Sequence, residues 1–243
     1  MLDTLAIAQP VLRLEGVSKN FTLHLREGLV LPVVQDVSLE VAAGECVVLD
    51  GPSGIGKSSI LKMIYGNYLA GSGSIQVRHA GNWIDIAGAQ PRQIIELRRN
   101  VIGYVSQFLR VIPRISCLDL VVARARESEA DEAVARARAS DLLSRLNVPE
   151  RLWGLAPATF SGGEQQRVNI ACGFAPQRPL MLLDEPTASL DTINSNAVIS
   201  LIEECKARGA GILGIFHDPA VRERVADRLV DVRRFSTGSS DDA

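Results

Sequence analysis

The chain has 243 residues, of which 47% are hydrophobic, 22% charged and 5% aromatic, a balance that fits one large α/β domain with its own core and excludes a disordered chain. Its 26 Lys and Arg against 28 Asp and Glu leave a formal net charge of −2, so no global positive field draws it to nucleic acid or to an anionic membrane surface. No run reaches the roughly 18–20 apolar residues of a membrane span, and the start lacks a basic region followed by an apolar stretch. The four cysteines, Cys46, Cys117, Cys172 and Cys205, form no C-x-x-C pair, which argues against a zinc site or a disulfide framework and fits a reducing cytosol. The expectation is a cytoplasmic protein with no direct membrane insertion, which would reach a membrane only through a partner.

In chain order, the first 45 residues read as strands: VLRLEGV, FTLHL, LPVVQDV and SLEVAAGE, with a turn at Glu27-Gly28. CVVLD at 46–50 is a short apolar run of the kind buried in a parallel sheet, and it leads through GPSGIGKSS into the helical pattern SSILKMIYG. Residues 72–86 resemble a hairpin around Ala80-Gly81-Asn82, and IIELRRN leads to another short strand, VIGYVSQ. From Phe108 to about Asn147 the reading is helical, with Leu142, Leu143 and Leu146 on one face. Then come a strand in LMLLDE (180–185), a helix around AVISLIEECKAR, a strand in GILGIFH and a terminal helix. Alternating β and α elements predict a mainly parallel core sheet, joined by an antiparallel β subdomain and an inserted helical subdomain. The expected boundaries are a single domain over 1–243: core with β subdomain at 11–107 and 166–235, helical subdomain at 108–165, and a frayed tail at 236–243.

Two stretches carry recognisable chemistry. Gly51, Pro52, Ser53, Gly54, Ile55, Gly56, Lys57 and Ser58 match G-x-x-x-x-G-K-[ST] between an apolar strand and a helix, and Ser59 follows. Glycines let successive backbone N–H groups point at phosphates, and the helix N-terminus adds positive dipole density. Lys57 can neutralise the β and γ phosphates, and the Ser58 hydroxyl suits Mg²⁺. The alternative is a plain glycine-rich turn. In LMLLDEP, Asp184 and Glu185 stand at the end of an apolar strand: Asp184 to hold Mg²⁺, Glu185 to polarise the attacking water as general base. The alternative there is an acidic turn that merely ends a strand.

These two elements define only a phosphate-loop nucleoside triphosphatase. Between them stands Phe160-Ser161-Gly162-Gly163-Glu164-Gln165-Gln166, followed by RVNIACGF, and here the chain resembles the ABC ATPase family, whose signature has the form (L)SGGQ. The resemblance covers nearly the whole chain and implies a P-loop NTPase fold of the ABC cassette type that hydrolyses ATP with Mg²⁺. By family order Gln107 is the Q-loop glutamine, Ser189-Leu190-Asp191 the D-loop and His217 the switch histidine, while Phe21 falls where an adenine-stacking aromatic lies. Each of these letters in isolation has a bland reading as a surface or strand-end residue. The resemblance implies catalysis by Glu185, His217, Lys57 and Gln107. It implies metal contacts from Ser58, Gln107 and Asp184, and nucleotide contacts from Phe21, the 51–59 loop, Ser161, Gly162, Gly163 and Asp191. The Ser161 to Gly163 cradle would face the γ-phosphate held by the Lys57 loop of a second ABC cassette, so a working unit requires two chains.

The separation of 104 positions from Lys57 to Ser161 suits a small helical lobe and is too short for long coiled coils. The stretches Ser106 to Ser116, Leu146 to Trp153 and Thr159 to Ile170, with the long first hairpin LHLREGLVLPVV and GIFHD, resemble a cassette of the carbon–phosphorus lyase pathway of phosphonate breakdown. That likeness implies a link to ribose 1-methylphosphonate 5-triphosphate formation, with soluble lyase core subunits and a sister cassette as partners. ATP-driven assembly or remodelling is the physically simpler role, with docking at Phe108 to Asp119. Two departures stand out: Glu164 for the usual signature glutamine, and Cys172 where many cassettes carry arginine. The rival readings are a transporter ATPase for phosphonates, lipoproteins or macrolides, and an ATP-binding scaffold with little turnover.

Overall fold

A computed structural model describes residues 9–23, 29–107 and 114–236. The sequence-stretch Glu27-Gly28, the first six residues of the docking stretch (108–113) and all but the first residue of the tail lie outside the described residues.

The chain opens with two 14-residue strands, β1 (Pro10–Leu23) and β2 (Leu29–Ala42), where the sequence suggested four shorter ones. The breaks read between Val17 and Phe21 and between Val37 and Ser38 are absorbed as irregularities in one continuous antiparallel ladder. Gly16 and Asp36 adopt φ of 61° and 53°, and their N–H groups bond across the ladder to the Ser38 and Ser18 hydroxyls. After β3 (Cys46–Asp50) and α1 (Lys57–Ile64) come β4 (Ser72–His79) and β5 (Asn82–Asp85). Ala80 and Gly81 join these last two with φ of 49° and 83°, the two positive angles that a two-residue hairpin turn requires. These strands form one antiparallel sheet, ordered β2-β1-β4-β5.

Helix α2 (Pro91–Asn100) starts at a Gln90/Gln93 capping box with proline in its first turn, and β6 (Ile102–Val105) follows. Within the stretch read as helical from Phe108 to about Asn147 lie α3 (Cys117–Ala125) and α4 (Glu132–Arg145), and the short α5 (Glu150–Trp153) and α6 (Gly162–Phe174) follow it. Leu142, Leu143 and Leu146 are all buried, as the sequence periodicity required. The chain ends through β7 (Leu180–Asp184), α7 (Thr192–Ala207), β8 (Gly211–Ile215), α8 (Pro219–Val225), β9 (Arg228–Asp231) and a 3₁₀ turn at Val232–Phe235. Strand β9 is absent from the sequence reading, which ended on a helix. Four residues with no residue fully buried give too short a pattern to register.

The second sheet is parallel and ordered β6-β7-β8-β3-β9. Its central strands β7 and β8 are buried at every residue because both faces are covered. Alternation assigns the faces. Cys46, Val48, Met181 and Leu183 join one cluster with α3, α4, α6 and α7, whereas Val47, Leu49, Leu180 and Leu182 join the other with α1 and the antiparallel sheet. No helix among the described residues is long and apolar enough to cross a membrane.

Candidate functional site

The C-terminal ends of β6, β7, β8 and β3, four neighbours in the parallel sheet, carry Gln107, Asp184-Glu185, His217 and the Gly51 loop respectively. Ligands in open α/β sheets sit beyond the carboxyl ends of strands, and the local backbone here is shaped for one. Gly51, Gly54 and Gly56 take φ of 137°, 81° and 108°, in the region that side chains disfavour. At Gly56 a Cβ would stand 2.6 Å from Val34 Cγ1, so the loop lies against β2 with no room for one. Side chains cap α3, α4, α6, α7 and α8 at their N-termini, whereas α1 begins at Gly56 with no side-chain cap. Its first N–H groups are offered to an anion instead.

Beside this loop lies a cleft of about 300 Å³ lined by the expected Phe21, Ser53, Gly54, Gly56, Lys57, Ser58, Ser59 and Glu185. Val33 also lines it and was not anticipated. Lys57 donates to the carbonyls of Gly51 at 2.6 Å and Pro52 at 2.9 Å. Burial lowers its pKa, and the nearby Glu185, Asp50 and Asp184 oppose that shift. Ser58 Oγ donates to Asp184 Oδ1 at 2.8 Å, and the Tyr104 hydroxyl donates to Asp184 Oδ2 at 2.9 Å. Burial first, then the Asp184 charge, raises the Tyr104 pKa, so this hydroxyl remains a proton donor. Tyr104 escaped the sequence reading because a tyrosine inside a short strand carries no motif.

Ser58 and Asp184 together present one hydroxyl and one carboxylate, and no group of three or more His, Cys, Asp or Glu that could hold a metal occurs among the described residues. Such a sparse, all-oxygen set fits Mg²⁺, which keeps its waters and takes phosphate oxygens, better than a cation needing a full protein cage. Gln107, the third expected metal contact, instead donates from Nε2 to Glu185 Oε2 at 3.2 Å. His217 Nε2 lies 2.7 Å from the other oxygen, Oε1. Glu185 itself has φ of 53° and its N–H bonds to the Ile215 carbonyl.

Phe21 meets Tyr68 edge to face with 5.3 Å between centroids, and Lys19 Nζ sits 4.9 Å from the Phe21 centroid. The remaining expected nucleotide contacts, Gly51, Pro52 and Ile55 of the loop together with Ser161, Gly162, Gly163 and Asp191, do not line this cleft. Ser161 caps α6 and shares a reciprocal box with Glu164, whose Oε2 accepts from the Ser161 N–H at 2.9 Å and hydroxyl at 2.7 Å. Asp191 caps α7 by accepting from Asn194 N–H at 2.8 Å.

A glycine phosphate loop ahead of an uncapped helix, with Asp184 and Glu185 facing it, defines a nucleoside triphosphatase of the phosphate-loop class. Residues 34–188 match the family model described as ABC transporter, and the chain belongs to that family of ATP-binding cassettes. It is thus an ATPase, and ATP with Mg²⁺ is what the site binds. The lipoprotein-releasing system ATP-binding protein LolD of Novosphingobium aromaticivorans is 35% identical over 233 residues, covering 96% of this chain and 99% of that one. A probable export ATP-binding/permease protein of Pseudomonas fluorescens is 33% identical over 227 residues, 93% of this chain, and the chain spans only 33% of its length. Among solved structures, the dimeric post-hydrolysis state of the ATP-binding cassette MJ0796 bound to ADP and Pi superposes with a TM-score of 0.80 at 26% identity, covering 91% of this chain and 94% of that one.

Proposed function

We propose that this chain is the ATP-hydrolysing subunit of a two-cassette machine, in which closure around ATP and reopening after hydrolysis drive a partner assembly. The observation that carries the reading is the Glu185 carboxylate, held by Gln107 and His217 at the mouth of the phosphate-loop cleft. The loop N–H groups and Lys57 take the phosphates, exchanging the Gly51 and Pro52 carbonyls for phosphate oxygens. Ser58 and Asp184 would hold Mg²⁺, which supplies charge neutralisation at the phosphates. Glu185 orients a water and accepts its proton as the water oxygen attacks the γ-phosphorus; the bond to the β,γ-bridging oxygen breaks, giving ADP and inorganic phosphate. His217 and Gln107 keep the carboxylate aimed.

Phe21 offers its ring to the nucleobase. The exposed Ser161, with Gly162 and Gly163, does not line its own chain's cleft and engages the γ-phosphate of a second cassette, with Asp191 at the same contact. Loss of that bridging phosphate contact on hydrolysis reopens the pair.

Two partner classes follow. The names of the relatives, lipoprotein-releasing and export proteins, support a membrane permease, which makes the transporter ATPase the better-supported reading. The second reading is favoured by particular residues: Ser106 to Ser116, Leu146 to Trp153 and Thr159 to Ile170 are similar to PhnL, which implies soluble carbon–phosphorus lyase subunits and a sister cassette as partners. Affinity purification of the Glu185→Gln protein with ATP and Mg²⁺ separates them. A permease supports transport, lyase subunits support phosphonate breakdown, and recovery of neither class would overturn both.

A further inference from the structure

Helix α6 presents different things on its two sides. Ser161, its N-cap, is exposed, whereas Gln166 and Asn169, three residues apart and so on one face, are only 5% and 7% exposed. Their neighbours Val168, Ile170 and Ala171 are completely buried and apolar, so packing alone gives no reason for two amides there. A buried amide costs stability unless it is bonded, and both are. Asn169 Nδ2 donates to the Ser106 carbonyl at 2.6 Å, and Gln166 Nε2 donates to the Pro186 carbonyl at 3.3 Å.

The acceptors are notable for their sequence neighbours. Ser106 immediately precedes Gln107, and Pro186 immediately follows Glu185. Gln107 in turn donates to Glu185. The hydrogen bonds therefore close a ring that runs from α6 through Ser106 and Gln107 to Glu185 and Pro186, and back to α6. A helix moves as a rigid rod, so a shift of its Ser161 end carries both acceptors with it.

We propose that Asn169 and Gln166 are positioning residues that tie the seats of Gln107 and Glu185 to the placement of α6. A nucleotide engaged by Ser161 in one site then sets the catalytic geometry of the other through these two buried amides. This rests on the reading given above, in which Ser161 meets the second cassette's nucleotide and Glu185 is the base.

The test uses the full chain with Asn169→Leu, nearly isosteric but without a donor, and Asn169→Ala, so that a folding defect in one leaves the other. Hydrolysis is followed against ATP concentration, with circular dichroism and thermal melting to establish folding. The wild-type protein should give a Hill coefficient between 1 and about 2, the number of sites in the pair. The variants should lose about 5- to 10-fold in kcat with KM for ATP within about twofold, and their Hill coefficient should fall to 1. A non-cooperative wild-type enzyme, or a folded variant with native kcat and Hill coefficient, overturns the link. Glu185→Gln run in parallel separates the two claims: native hydrolysis in that variant defeats the base assignment, whereas its inactivity beside unaltered Asn169 variants defeats the link alone.

Discussion

His217 Nε2 lies 2.7 Å from Glu185 Oε1, and because a carboxylate can only accept, this contact places the imidazole proton on Nε2. Gln107 holds the second oxygen at 3.2 Å, so the carboxylate is oriented from two sides. Glu185 also sits at φ of 53°, a conformation that costs about 1–3 kcal/mol and persists only where the surroundings enforce it. The bond from its N–H to the Ile215 carbonyl is part of that enforcement.

Replacing His217 by alanine removes the aligned donor without touching the phosphate loop. Hydrolysis should fall by about 100-fold. ATP affinity, read by equilibrium binding of a fluorescent analogue, should remain close to native.

Gly56→Ala forces a side chain onto φ of 108° and places Cβ 2.6 Å from Val34 Cγ1 and 3.2 Å from the Val33 carbonyl. The loop must shift away from β2, at a cost of about 1–3 kcal/mol. Denaturant unfolding should show that loss, and nucleotide binding should weaken with it, because the displaced loop is the one that cradles phosphate.

The Glu164 carboxyl is held below its ordinary value of 4.5 by the hydrogen bonds from the Ser161 hydroxyl and N–H. A depressed carboxyl stabilises the fold fully above its unfolded value and loses that contribution as pH falls through the folded one. Wild-type stability should therefore drop below about pH 4.5 with a component that Glu164→Gln lacks, as measured by urea unfolding at pH 7 and pH 3.5.

All four cysteines are buried. Desolvation pushes the Cys46, Cys117 and Cys172 thiols up to about 12 and raises Cys205 as well. Iodoacetamide at pH 8 should label none of them in the native protein and all four after denaturation. Cys172, where the family likeness suggested a cation, lies in the apolar cluster with 8% exposure, which fits a small apolar residue.

Much of the site could be read from the sequence because it consists of local strand-loop-helix patterns: Gly51 to Ser59 and the Asp184-Glu185 pair both follow apolar strands whose burial is unmistakable. The long-range parts could not. The Tyr104 bond to Asp184 spans 80 residues and the Asn169 bond to Ser106 spans 63, and neither residue type announces such a partner. Strand β9 was missed because pairing with β3, not its own four residues, makes it a strand. The same held for β1 and β2, where cross-strand serine hydroxyls carry the ladder through Gly16 and Asp36.

The most direct test of the central claim compares wild-type and Glu185→Gln protein, with ATP and Mg²⁺, for hydrolysis and for mass by light scattering. The wild type should hydrolyse ATP, the variant should lose at least about 100-fold in rate, and the variant should retain an ATP-dependent dimer. A Glu185→Gln protein that hydrolyses ATP at the native rate, or remains monomeric with ATP bound, would contradict that claim.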